Sequence, residues 1–169
     1  MNIYFVGYRG TGKSTLGKEV AKALEKEFVD LDNEIVKLAG KTIPQIFSEE
    51  GEEKFREYET KALEQFNGKD YVIACGGGII VKDRNIPILK SNGMVCLLKL
   101  SPQEIHKRIN GDTNRPSLTG KDPFEEIKFL LDKRREGYEK AKDFEIDCNN
   151  KGIRKCTEEI LTKLNEFKK

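Results

Sequence analysis

The stretch Gly7-Tyr8-Arg9-Gly10-Thr11-Gly12-Lys13-Ser14 satisfies G-x-x-x-x-G-K-[ST] at every fixed position. Before it runs Ile3-Tyr4-Phe5-Val6, a short apolar segment suited to a strand buried on both faces. After it, Thr15 to Glu27 reads as a helix with Leu16, Val20, Ala23 and Leu24 on one stripe. Strand, glycine loop and helix are the context in which this motif cradles phosphates. Glycines bring backbone N–H groups close to a polyphosphate, and the helix start adds unpaired donors and a positive dipole end. Lys13 has the reach for β- and γ-phosphates, and the Ser14 hydroxyl is a ligand for Mg²⁺. The dinucleotide pattern G-x-G-x-x-G fails because Thr15 stands where its last glycine belongs, which disfavours a Rossmann dehydrogenase.

A chain of 169 residues is expected to form one domain, 1–169, with a substantial core. Its 31 basic and 29 acidic residues leave a net charge of +2, which argues against a nucleic-acid partner. No apolar run approaches a membrane span, and no secretory signal precedes the first strand, so a cytoplasmic protein is expected. Cys75, Cys96, Cys148 and Cys156 show no C-x-x-C spacing and read as free thiols in a reducing compartment. The one histidine, His106, lies in a charged helical stretch and is expected at the surface.

Strand-like and helix-like segments alternate to the end. Strands are expected over 28–32, 71–75, 94–100 and 144–148, besides the first. Helices are expected over 33–39, 43–50, 52–66, 82–91, 102–109, 124–140 and 153–167. Five apolar strands interleaved with helices predict an α/β fold, a parallel sheet covered on both faces. Ligands of such sheets bind beyond the carboxyl ends of the strands. The glycine loop, Asp30-Leu31-Asp32 and Gly76-Gly77-Gly78 all fall there.

If the second strand runs through Asp30 and Asp32, their side chains face opposite ways. One carboxylate then serves a Mg²⁺ hydration shell and the other a substrate hydroxyl. Equally, the pair is a charged turn with Asp32 capping the next helix. Arg56 stands at the edge of an apolar helix stripe, within reach of Glu52 and Glu59 for ordinary pairing along the helix. Arg134 shares a helical face with Ile127, Leu131 and Tyr138, so it either snorkels outward or meets an anion. Arg9 and Arg115 lie in glycine-bearing loops, at home with phosphate or with water. The segment 110–123 is long and rich in turn residues, as lids are.

Taken together, these residues resemble the shikimate kinase family, of the nucleoside-monophosphate-kinase-like branch of phosphate-loop proteins. The likeness rests on the opening GYRGTGKSTLGK, then FVDLD, F-R-x-x-E at Phe55 to Glu59, and the triple glycine. It continues with N-R-P at Asn114 to Pro116 and K-R…Y at Lys133, Arg134 and Tyr138. The resemblance implies a three-layer α-β-α fold with strand order 2-3-1-4-5, a substrate-binding segment about 33–61 and a lid about 110–123. It implies ATP phosphates held by Gly10, Thr11, Gly12, Lys13, Ser14 and Thr15, with Arg108 along the adenine. Ser14 would ligate Mg²⁺ directly and Asp30 through water. Asp32, Arg56, Gly77, Gly78 and Arg134 would bind shikimate. Lys13, Asp32 and Arg115 would be catalytic, with Arg115 also on the nucleotide. The implied reaction takes ATP and shikimate to ADP and shikimate 3-phosphate, in a monomer with no nucleic-acid or membrane partner. A gluconate or nucleotide kinase is the alternative, and a non-enzymatic nucleotide-binding regulator a third.

Overall fold

The structure is a computed structural model that describes residues 1–112 and 116–168. Its elements follow in the order β1 (Asn2–Val6), α1 (Lys13–Ala23), β2 (Glu27–Asp30), α2 (Leu31–Ala39), α3 (Ile43–Glu49), α4 (Gly51–Glu64), β3 (Tyr71–Ala74), α5 (Asn85–Asn92), β4 (Gly93–Lys99), α6 (Pro102–Ile109), α7 (Pro123–Ala141), β5 (Phe144–Asp147) and α8 (Ile153–Phe167). The sheet is wholly parallel, in the order β2-β3-β1-β4-β5. β1 lies at its centre, with Ile3 opposite Val72 on one side and Met94 on the other.

The two-residue period of β1 explains the layering. Ile3 and Phe5 point into one core, with Leu16 and Val20 of α1 and Ile160 of α8. Tyr4 and Val6 point into the other, with Ile35 of α2, Phe55 and Leu63 of α4 and Leu89 of α5. Met94, Cys96 and Leu98 of β4 join the first core, Val95 and Leu97 the second. α7 spans both, giving Ile127 and Leu130 to one and Tyr138 and Ala141 to the other. All five strands therefore aim their carboxyl ends at one edge, where the glycine loop and the triple glycine stand.

Helix ends follow local chemistry. Thr42 and Gln45 cap α3 reciprocally, Ser101 caps α6, and Asp122 caps α7 ahead of Pro123. α2 stops at Gly40 in the left-handed region, as its sequence predicts.

Candidate active site

The start of α1 differs from the helices just described. Its N-cap is Gly12, left-handed at φ 100°, and neither a side-chain cap nor an acidic residue in the first turn neutralises the free amides. A side chain at position 12 would strain that backbone. Lys13 folds back, its Nζ donating to the carbonyl oxygens of Gly7 at 2.7 Å and Tyr8 at 2.8 Å. Thr11 Oγ1 also donates to the Tyr8 carbonyl at 2.7 Å. The loop is thus held open around its own lysine, with α1's amides facing the cavity.

Across that cavity, Ser14 Oγ donates to Asp30 Oδ2 at 2.7 Å. The second strand ends at Asp30, earlier than expected, and Leu31 already opens α2. Asp30 Oδ1 accepts the Asp32 N–H at 3.0 Å, so Asp30 is the cap and Asp32 sits in the helix's first turn. The alternation of two carboxylates across one strand does not occur, nor does capping by Asp32. A satisfied helix N-terminus outcompeted two further residues of strand. Even so, both carboxylates line one cavity with Lys13, Ser14, Thr15, Cys75, Gly76 and Gly77.

A second cavity lies beside the first, walled by Tyr8, Phe47, Arg56, Gly78, Glu126 and Arg134 among others. The two share Arg9 and Gly77 as lining residues. Arg56 is 4% exposed and pairs along α4 with Glu59 at 3.0 Å and Glu52 at 3.3 Å. Pairing along the helix is what the spacing predicts, but burial makes it more than a surface ornament. Glu59 is fully buried, and Arg56 Nε has no hydrogen-bond partner among the described residues. Arg134 is 8% exposed, with its guanidinium 5.6 Å from the Tyr8 ring centre and no ion pair among the described residues. A cation kept out of water without a carboxylate is costly, and an anion in the cavity offsets that cost. Glycine at 78 leaves room for the guanidinium: a Cβ there would lie 2.4 Å from Arg56 Nη1 and push that group aside.

Three supports escaped the sequence reading. Tyr138 Oη donates to the Gly77 carbonyl at 2.5 Å, tying α7 to the triple glycine. Burial pushes the Tyr138 phenol up to about 12, against the pull of Arg134. Thr60 Oγ1 donates to Asn85 Oδ1 at 2.8 Å, and Asn85 Nδ2 to the Ile79 carbonyl at 2.9 Å, both side chains fully buried. Finally, Glu126 Oε1 gathers Ser117 Oγ, the Leu118 and Thr119 N–H groups and Thr119 Oγ1, all at 2.8–2.9 Å. Burial raises the Glu126 pKa, but these hydrogen bonds together outweigh it, and the carboxyl stays below its ordinary value. The row Glu126, Leu130, Arg134, Tyr138, four residues apart, is buried throughout. That row was the signal available for Glu126.

Arg108 is exposed and lies over the loop, its Nη1 3.4 Å from the Gly10 carbonyl. Arg115 and Asn114 lie outside the described residues. His106 is not the surface residue its charged neighbours suggested. It is half-buried, edge-on to Phe124 with ring centres 5.6 Å apart. All four cysteines are buried free thiols, and burial pushes Cys75 well above the ordinary thiol range despite its place at the cavity wall.

The family model described as shikimate kinase matches residues 9–165. A shikimate kinase of Caldanaerobacter subterraneus subsp. tengcongensis is 40% identical over 161 residues, covering 95% of this chain and 94% of that protein. The solved shikimate kinase of Acinetobacter baumannii, in complex with shikimate, superposes with a TM-score of 0.94 at 37% identity, covering 99% and 94% of the two chains. A gluconokinase from Sinorhizobium meliloti superposes with a TM-score of 0.66 at 17% identity over 98% of this chain and 92% of its own, a likeness of fold alone.

Proposed function

The chain belongs to the shikimate kinase family, and from that membership we propose how its two cavities divide the work. The reaction transfers the γ-phosphoryl group of ATP to the 3-hydroxyl of shikimate, giving ADP and shikimate 3-phosphate. The amides of α1 and Lys13 take the β- and γ-phosphates, with Gly10, Thr11, Gly12 and Thr15 completing the cradle and Arg108 lying along the adenine. Lys13 exchanges its bonds to two loop carbonyls for phosphate oxygens.

Arg56 and Arg134 hold the shikimate carboxylate, and the Gly77 and Gly78 backbone meets the ring. Asp32 accepts a substrate hydroxyl and is placed to take its proton as the bond to phosphorus forms. Arg115, outside the described residues, brings positive charge from the lid at about 110–123 onto the transferring group. The segment about 33–61 presents the acceptor.

The hydroxyl of Ser14 and the carboxylate of Asp30, 2.7 Å apart on the phosphate side, are hard oxygen donors of the kind Mg²⁺ takes. Ser14 would bind it directly and Asp30 through water, the remaining positions falling to phosphate and solvent. Mg²⁺ bound there would neutralise charge on the β- and γ-phosphates. The proposal includes a monomer working in the cytoplasm, where buried free thiols persist.

One observation carries the acceptor assignment. Two guanidinium groups, both more than nine-tenths buried, wall a cavity that adjoins the phosphate cradle. Guanidinium pairs recognise a small carboxylate bidentately. An ADP-release assay with shikimate, gluconate and nucleoside monophosphates tests it. Turnover with shikimate alone is expected; turnover of gluconate or a monophosphate with shikimate inert would overturn it.

A further inference from the structure

Arg9 occupies a variable position of the glycine loop, and none of the roles above uses it. Yet it is one of two residues, with Gly77, that line both the phosphate cavity and the acceptor cavity. Gly77 offers only backbone there and meets the Arg9 backbone N, so Arg9 is the shared lining residue that also carries a guanidinium. Its Nη1 is buried from solvent with no hydrogen-bond partner among the described residues, while the same guanidinium acts on the Tyr8 phenol, and Arg9 forms no ion pair among those residues. Carboxylates do stand in both cavities: Asp30, Asp32 and Asp112 on one side, Glu126 on the other. Asp30 is engaged with Ser14 and the Asp32 amide, and Glu126 with the 117–119 turn. A buried guanidinium N–H left unpaired costs free energy, and a ligand oxygen arriving at the junction relieves it.

We propose that Arg9 is a further catalytic residue, donating hydrogen bonds to the equatorial oxygens of the phosphoryl group in flight between the two cavities. The inference rests on the reaction proposed above. In that step the acceptor oxygen forms a bond to the γ-phosphorus while the bond to the β–γ bridging oxygen breaks. The electron pair leaves with ADP, and the hydroxyl proton goes to Asp32. Charge on the three equatorial oxygens peaks midway, at the position between the cavities. A guanidinium brought there stabilises that state more than either ground state. Lys13 approaches the same phosphate from the nucleotide side, so the two cations are complementary.

The test compares Arg9→Met, Arg9→Lys and wild type. Measured are kcat, the KM for each substrate, and affinities for shikimate alone, for ADP alone, and for ADP with tetrafluoroaluminate and shikimate. Removing one donor from developing charge is expected to lower kcat of R9M about 10²-fold. Shikimate and ADP alone should bind within about threefold of wild type, while the tetrafluoroaluminate complex weakens in step with kcat. R9K should recover part of both. Unchanged kcat in R9M would overturn the proposal, as would weakening of shikimate or ADP alone equal to the loss in kcat. If R9M does not fold, R9K decides: wild-type kcat and tetrafluoroaluminate affinity would sink the role, and an intermediate loss in both would support it. A wild-type enzyme inert toward shikimate would instead defeat the function itself, a separable failure.

Discussion

Arg134 shows what a single residue reveals when burial and charge are read together. On sequence it was an arginine on an apolar stripe, with two possible fates. In the fold it is buried over Tyr8 and beside Gly77, with no carboxylate paired to it among the described residues. Arg134→Ala should therefore cut kcat/KM for shikimate about 10²-fold or more, with ATP affinity near normal. Steady-state kinetics and nucleotide titration check this, and an unaffected variant would remove the anion role. Lys13→Ala should abolish most turnover, because its ammonium, held by the Gly7 and Tyr8 carbonyls, is the cation proposed to meet the phosphates. Wild-type rates in that variant would exclude the loop from the mechanism. The phosphate loop and the helical face of Arg134 were legible from spacing, because both patterns are written locally; which of its two fates Arg134 takes was not. The contacts of Tyr8 and Tyr138 were not, since each touches a segment far away in the chain. The Asp30–Asp32 pair was legible as a site but not as a geometry. Strand extension and helix capping compete over two residues there, and only the packed structure decides.

Among the elements, α7 joins the most functions. Its row of buried residues holds the 117–119 turn with Glu126, walls the Arg56 cavity with Arg134, and fixes Gly77 with Tyr138. Glu126→Gln replaces a carboxylate taking four hydrogen bonds by an amide whose oxygen accepts more weakly. A loss of stability of about 1–3 kcal/mol is expected, with faster amide exchange at Leu118 and Thr119. Denaturant unfolding and hydrogen exchange measure both. Exchange at Leu118 and Thr119 unchanged would show the turn to be held by something else. Helix boundaries were legible wherever glycine, proline or a capping side chain marks them, as at Thr42, Gly40 and Ser101. The Glu126 turn carries no such mark; only the four-residue spacing from Glu126 to Leu130, Arg134 and Tyr138 pointed to it.

For the whole molecule, acid sensitivity follows from the depressed carboxyls. Glu126 is lowered by hydrogen bonds that outweigh its burial. Glu145 is lowered by Lys142 and Asp147 by the Asn149 amide, each against a smaller cost of burial. A carboxyl whose folded pKa lies below its unfolded value adds stability that is complete above the unfolded pKa. That stability is lost as pH falls through the folded one. The unfolded references are 4.5 for Glu and 3.8 for Asp. The melting temperature should hold level from about pH 5 to 8 and fall steadily below about pH 4.5. Calorimetry across that range checks it, and a flat profile down to pH 3 would show these contacts contribute nothing.

The central place of β1 has a consequence for how the molecule is made. Its partners β3 and β4 arrive much later in synthesis, Ile3 meeting Val72 and Met94. β1 must wait, unpaired and apolar, until β3 has emerged, and its second edge stays open until β4 follows. The glycine loop is translated early, yet its cavity matures late: the walls at Ala74 and Gly77 do not yet exist when Gly7 to Ser14 is made.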